Sequence, residues 1–385
     1  MANPFFYGKT VSGKFFTDRE REVKELKEDI KNGQNIIIWS PRRYGKTSLI
    51  KKVLLELKNE GLITVYIDLF MAASRDKFID IYARAIADSM EGGVEKIAKA
   101  VKKLLPRILP KIIIRQDQTA DFEFSYDTRT DTKPILEDLF EAISNYAAKK
   151  KKKAVVCFDE FQEINNFQKK YEIEKSMRSV FQFHKNVAYV FQGSKYHLMR
   201  KMFQSKSRPF YNSGRVFSLK CIPAEKFSPW IEKRFKETYV IAGRDIIDEI
   251  LNVTKCHPYH TQQLCYTVWK IARDSGKVVK SHIKEAISEI LTEQAANFTN
   301  MWDTLSAKQR NFLVAFVLDH PENIYGKDFI LRNNLETASS LQKIIKALTD
   351  KQIIEKDNGS ILFGDIFFPE WIKDMTGRRG PAFSA

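Results

Sequence analysis

Residues 35–48 read NIIIWSPRRYGKTS. An apolar run of strand character, Ile36 to Trp39, passes into a polar turn and then into Gly-Lys-Thr-Ser at the head of a helical stretch, KTSLIKKVLLELKNE (46–60). That order, strand then loop then helix, is the context a phosphate-binding loop requires. The spacing is that of GxxxxGK[ST], with Ser40 in place of the first glycine. Serine permits the turn with less backbone freedom than glycine. Pro41, Arg42, Arg43 and Tyr44 form the body of the loop, and Gly45 lets the backbone wrap close to phosphate oxygens. Successive N–H groups and the helix N-terminus then offer an anion cradle. Lys46 is expected to reach the β- and γ-phosphates as a point charge. Thr47, followed by Ser48, is expected to give Mg²⁺ a hydroxyl oxygen, the hard donor that ion prefers.

Outward from this motif the chain alternates. REREVKELKEDI (19–30) reads as a charged amphipathic helix, LITVYIDLF (62–70) as a strand, KFIDIYARAIADSM (77–90) and 135–148 as helices. AVVCFDE (154–160) and VAYVFQGS (187–194) read as buried strands. Apolar strands separated by helices predict a parallel sheet covered on both faces. Residues 91–130 break the rhythm and read as an insertion: basic and apolar at first, then alternating in DFEFSYDTRTD. Residues 223–290 read as mainly helical. Beyond them come a helix, a longer helix and two short strands about Asp357-Asn358-Gly359, the pattern of a winged helix. The expected fold is therefore α/β: a P-loop parallel sheet core over 1–222, a helical region over 223–290, which family resemblance implies to be a lid, and a C-terminal winged-helix domain over 291–385.

Two more strand ends carry chemistry. In AVVCFDEFQEI (154–164), Asp159 is the candidate Mg²⁺ residue, acting mostly through water. Glu160 is the candidate base that polarises the attacking water, with Glu163 as the weaker alternative. After VAYVF come Gln192, Gly193 and Ser194. A polar side chain at a strand end beside the phosphate crevice can sense the γ-phosphate, and Ser194 is preferred to Gln192. Arg215 lies beyond this strand as a candidate arginine finger toward a neighbouring copy. That role requires a homo-oligomer, and Arg208 competes for it. The finger role is what resemblance to AAA+ ATPases implies for Arg215; read from the residues alone it is an ordinary exposed arginine.

Taken together, FFTDREREVKEL, SPRRYGKTSL, VVCFDEFQEI, QGS, TKCHPYHTQQLCYTVW and DTLSAKQRNFLVAF resemble the archaeal-type ATPase family, within the AAA+ and STAND-like P-loop ATPases. The resemblance covers nearly the whole chain except about 91–130. It implies a core of this class with helical lid and winged helix, and ATP and Mg²⁺ as ligands. It implies that Phe16 and Arg19 flank the adenine, although the same segment also reads as a helix start capped by Thr17 or Asp18. It implies that His257 and Pro258, in Cys256-His257-Pro258, stand where the family has Gly-His-Pro at the start of a lid helix, with the histidine approaching the phosphates.

The chain has 385 residues and a net charge of +16. Residues 291–385 hold 11 Lys/Arg and 12 Asp/Glu, so the whole basic excess lies before them. Residues 95–115 and 195–220 each carry seven Lys/Arg, and the second stretch interleaves Tyr196, Phe203, Phe210 and Tyr211. Cations with aromatics between them suit a nucleic-acid backbone with stacked bases; core aromatics under a charged surface are the alternative. The near-neutral winged helix is as well suited to a protein partner as to DNA. No apolar stretch reaches membrane-spanning length, and four scattered cysteines fit reduced thiols in the cytoplasm. The expected activity is ATP hydrolysis to ADP and phosphate, acting with DNA or RNA. The alternative is a nucleotide-gated signalling switch that assembles with a protein partner.

Overall fold

The computed structural model describes residues 1–114, 120–127, 131–357 and 360–377. These form two compact units, one of Asp18–Lys220 and one of residues 1–17 together with 221 onward.

The first unit begins with α1 (Glu20–Lys31), β1 (Ile36–Trp39), α2 (Lys46–Asn59), β2 (Ile63–Asp68) and α3 (Arg75–Asp88). The insertion follows: α4 (Val94–Leu104) and the strands β3 (Leu109–Ile114) and β4 (Ala120–Ser125), which pair antiparallel. Then come α5 (Thr132–Lys150), β5 (Ala154–Asp159), α6 (Lys170–Phe181), β6 (Val187–Gly193), α7 (Tyr196–Gln204) and β7 (Arg215–Ser218). The five long-range strands make one sheet in the order β2-β5-β6-β1-β7, and every pairing in it is parallel. Continuous apolar strands belong in such a sheet because helices cover both faces; β1, β5 and β6 are buried along their whole length. The strand β7 is the element that the sequence rhythm did not suggest. Its pattern of one buried and three exposed residues is that of an edge strand.

Register fixes the working edge. Trp39 pairs with Gly193, and Asp68 pairs with Asp159. The carboxyl ends of β1, β5 and β6 therefore come together, the place where open α/β sheets bind ligands. At the other end of β1, Ile36 pairs with Arg215.

The second unit contains α8 (Ala224–Lys236), α9 (Arg244–Thr254), α10 (Pro258–Ala272) and α11 (Lys280–Asp303). It continues with α12 (Ala307–Asp319), α13 (Lys327–Arg332), α14 (Ala338–Asp350), β8 (Ile354–Asp357), β9 (Ser360–Phe363) and α15 (Phe368–Met375). The winged-helix pattern is present; the turn residues Asn358 and Gly359 lie outside the described residues. The helix α11 runs unbroken through position 290, where lid and wing were expected to meet, and one apolar core extends from Phe5 to Ile372. Among the described residues no helix is long and apolar enough to cross a membrane.

Residues 1–17 belong to this second unit, not to the sheet unit. Phe5 is 1% exposed and packs edge-on against Phe235 and Trp230. The buried Arg234 donates from Nε (3.0 Å) and Nη2 (2.7 Å) to the Pro4 carbonyl. Its guanidinium lies over the rings of Phe15 and Trp230. Hydrogen bonds to a buried charged group are each worth about 1.5–3 kcal/mol. Arg234→Met, which keeps volume and loses both donors, is expected to cost about 2–3 kcal/mol by urea unfolding. Trypsin cleavage at the exposed Lys9 and Lys14 should speed up with it; an unchanged midpoint and cleavage rate would show that the other contacts, Phe5 on Phe235 and Asn3 Nδ2 on the Tyr266 carbonyl among them, hold the segment.

Candidate active site at the sheet edge

The loop between β1 and α2 is built for an anion. Gly45 is left-handed at φ +86 and Arg43 at φ +67. The glycine takes that conformation without the steric penalty a side chain brings. Gly45 caps α2 without any side-chain hydrogen bond, and no acidic residue lies in the first turn. The first N–H groups of α2 and the positive end of its dipole are thus not neutralised by a capping side chain. The Lys46 ammonium is 5% exposed and donates to the carbonyls of Ser40 (2.6 Å) and Pro41 (2.7 Å). Arg42 and Arg43 are exposed; Ser40 and Ser48 are buried.

From Thr47, the Oγ1 donates to Asp159 Oδ2 at 3.0 Å. The same oxygen accepts the Tyr66 hydroxyl from the neighbouring strand β2, while Asp159 Oδ1 accepts the Glu160 N–H at 2.9 Å. Asp159 ends the wholly buried β5, and Glu160 turns off it in the left-handed region at φ +50. That turn carries the Glu160 carboxylate across to β6. Its Oε2 accepts Ser194 Oγ at 2.8 Å and Gln162 Nε2. Gln162 also donates to Glu163 Oε1 at 3.2 Å, and Glu163 is ion-paired with Lys195 at 2.9 Å. Gly193 leaves room for this packing: a Cβ there would run into Gln162 Oε1 and stand 2.6 Å from Met199 Sδ, so those side chains would have to shift. Gln192 is wholly buried, and among the described residues neither atom of its amide has a hydrogen-bond partner.

These donors fit a nucleotide with Mg²⁺. Thr47 and Asp159 provide a hydroxyl and a carboxylate, and Mg²⁺ is ordinarily held by one or two carboxylates plus phosphates and water. Among the described residues no group of three His, Cys, Asp or Glu forms a metal cage, and a site of this kind does not use one.

The structure therefore brings together Ser40 through Ser48, Asp159, Glu160, Gln192 and Ser194. Arg19 belongs to the same unit but is otherwise engaged: buried, it donates to Glu22 (2.7 Å) and to the Lys220 carbonyl (2.6 Å). Arg215 stands at the amino end of β7, opposite the phosphate-loop end of β1, and is paired with Glu25 and Asp29. It is no part of this chain's own phosphate crevice. Arg208, its competitor, is buried against Glu174. Phe16, His257 and Pro258 lie in the second unit. There His257 caps α10 with Pro258 as its first residue, and its ring is 4.5 Å from that of His260.

Residues 16–264 match a sequence family described as an ATPase domain predominantly from Archaea. The chain belongs to this archaeal ATPase family. Residues 296–374 of the chain match a probable winged helix domain. Among solved structures it is similar to the Walker-type ATPase of Pyrococcus abyssi, with 15% identity and a TM-score of 0.68 over 96% of this chain and 99% of that one. It is also similar to the ORC2 protein of Aeropyrum pernix, with 13% identity and a TM-score of 0.53 over 94% and 96%. At these identities the likeness is one of fold. No curated protein matches the chain in sequence.

The basic stretches fare differently. In 195–220, Lys195, Arg208 and Arg215 are all ion-paired, and Phe203 and Phe210 are core residues at 1% exposure. The expected surface of interleaved cations and aromatics is reduced accordingly: Phe203 and Phe210 pack on Phe191 of β6, while Tyr196, Arg200, Lys201 and Lys206 are exposed. On α4, Lys96, Lys99, Lys102 and Lys103 are exposed, and among the described ion pairs none involves them.

Proposed function

We propose that the chain binds ATP with Mg²⁺ and hydrolyses it to ADP and phosphate, in the cytosol and in association with nucleic acid. The observation that carries the reading is one connected set of side chains at the sheet edge: Thr47 on Asp159, and Glu160 on Ser194. Bound Mg²⁺ supplies positive charge against the phosphate oxygens. Lys46 and the α2 N-terminus bind the phosphates; Thr47 and Asp159 hold the metal. Glu160 orients the attacking water and accepts its proton. Gln192 and Ser194 face the γ-phosphate. A solved neighbour of this fold, the ORC2 protein, is described in ADPNP and ADP complexes, which supports a nucleotide at this edge. Lys46→Ala is expected to weaken ATP binding by about tenfold, the loss of one charged hydrogen-bonding partner. Isothermal titration checks this, and unchanged affinity would remove the phosphate-loop reading.

The nucleic-acid part rests on α4. Replacing Lys96, Lys99, Lys102 and Lys103 by Gln should weaken binding to a fluorescent duplex DNA and flatten its salt dependence by about 0.9 for each phosphate left without its cation. An unchanged slope would favour the second reading, a nucleotide-gated switch that assembles with a protein partner. That reading is favoured by the wing, where α14 exposes Ser339 and Gln342 beside only Lys343 and Lys346.

A further inference from the structure

Tyr66 is a residue no motif singles out. It lies inside β2, where its neighbours on the same strand face are Thr64 and Asp68, and a phenylalanine would pack there as well. What distinguishes it is the hydroxyl, which donates to Asp159 Oδ2, the oxygen that also accepts Thr47 Oγ1. A carboxylate offers about four lone-pair positions. Here both hydroxyls occupy Oδ2 and the Glu160 N–H occupies one position on Oδ1, so about one acceptor position remains, on Oδ1. The Asp159 side chain is 4% exposed, and its rotation is fixed from three directions: α2, β2 and its own backbone. A hydroxyl-to-carboxylate bond is among the strong hydrogen bonds because the acceptor is charged. Tyr66 itself is half-buried on β2. Against the ring lies the Lys51 ammonium, 5.1 Å from the centroid, which holds it in place from α2.

We propose that Tyr66 is a positioning residue for the metal: its hydroxyl fixes the Asp159 carboxylate in the orientation that receives nucleotide-bound Mg²⁺. The inference rests on the ATP–Mg²⁺ reading of the site and deepens it. Partners behind a metal-holding carboxylate set its orientation, and their loss costs on the order of 10–100-fold in metal affinity.

The test is the Mg²⁺ dependence of nucleotide binding by the full chain, with fluorescent methylanthraniloyl-ADP as probe. MgCl₂ is titrated into parent and Tyr66→Phe chains, and a parallel binding curve is taken in EDTA. The expected result is a half-saturating Mg²⁺ concentration about tenfold higher in Tyr66→Phe, the lower end of that range, with affinity in EDTA unchanged. Tyr66→Leu, which also removes the ring, should show at least the same Mg²⁺ shift while circular dichroism reports its fold. An unchanged Mg²⁺ midpoint in Tyr66→Phe overturns the proposal. So does an equal loss in EDTA, which would make Tyr66 a prop for the loop. A parent chain that binds no nucleotide in either condition overturns the reading of the site, and this proposal with it.

Discussion

Glu160→Gln is expected to bind ATP as the parent chain does and to hydrolyse it at least ~100-fold more slowly, the lower range for loss of general-base help. The amide keeps the shape of the carboxylate. Its oxygen can still accept Ser194 Oγ, which now sits 2.8 Å from Glu160 Oε2, so the edge of β6 need not rearrange. What it loses is the basic oxygen that orients water and takes its proton. Nucleotide titration and steady-state phosphate release, measured on the same preparation, separate the two effects. Unimpaired hydrolysis would transfer the role of base to another carboxylate. Glu163 is the nearest candidate, although its Oε1 is held by Lys195 and Gln162.

The largest stability effect is expected at Arg208. Its Nε donates to Glu174 Oε2 at 3.0 Å, and its Nη2 binds Glu174 Oε1 and, at 3.1 Å, Asn165 Oδ1. Both side chains are essentially excluded from water, at 2% and 0% exposure. Arg208→Ala leaves a buried carboxylate without its bidentate partner, a loss of about 3–5 kcal/mol. Replacing both residues, as Arg208→Leu with Glu174→Met, should recover most of that loss, since buried pairs exchanged for apolar groups are often near neutral. Acidity gives a second check. Burial already pushes the Glu174 carboxyl above its ordinary range, while Arg208 pulls it down. Without Arg208 the folded-state value rises further above the unfolded value of about 4.3. A raised carboxyl favours folding most when protonated and loses that contribution as pH rises through the folded value. The deficit of Arg208→Ala relative to the parent should therefore be smaller at pH 5 than at pH 8. An equal deficit at both would show that packing, not charge, carries the loss.

Much of the fold and of the edge was legible because local signals coincided. The run Ile36–Trp39, the loop to Gly45 and the helix from Lys46 each report a state by themselves, and Asp159-Glu160 close a strand whose burial is written in Val155 to Phe158. What was not legible depends on pairing across the sheet. Tyr66 meets Asp159 because β2 lies beside β5 in a register that aligns Asp68 with Asp159; nothing within residues 62–70 records that alignment. The same holds for the charge of 195–220. In sequence its cations look solvated, yet the partners of Lys195, Arg208 and Arg215 come from Glu163, Glu174, Glu25 and Asp29, distant stretches that only the fold brings near. Residues 1–17 misled for a related reason: they precede the sheet in sequence and pack with helices made much later.

That last feature bears on how the molecule is made. The second unit is assembled from two stretches with Asp18–Lys220 between them. In a chain emerging from the ribosome at about 5–20 residues per second, Phe5 precedes the sheet unit, but Phe235, Trp230 and Arg234 arrive only after some 200 residues more, on the order of 10–40 s later at that rate. The sheet unit can complete itself in that interval, while the amino-terminal aromatics wait unpartnered for their helix. A segment translated before the sheet unit is thus put away after it, and that waiting period is where a nascent chain of this protein is open to capture by a chaperone or by another chain.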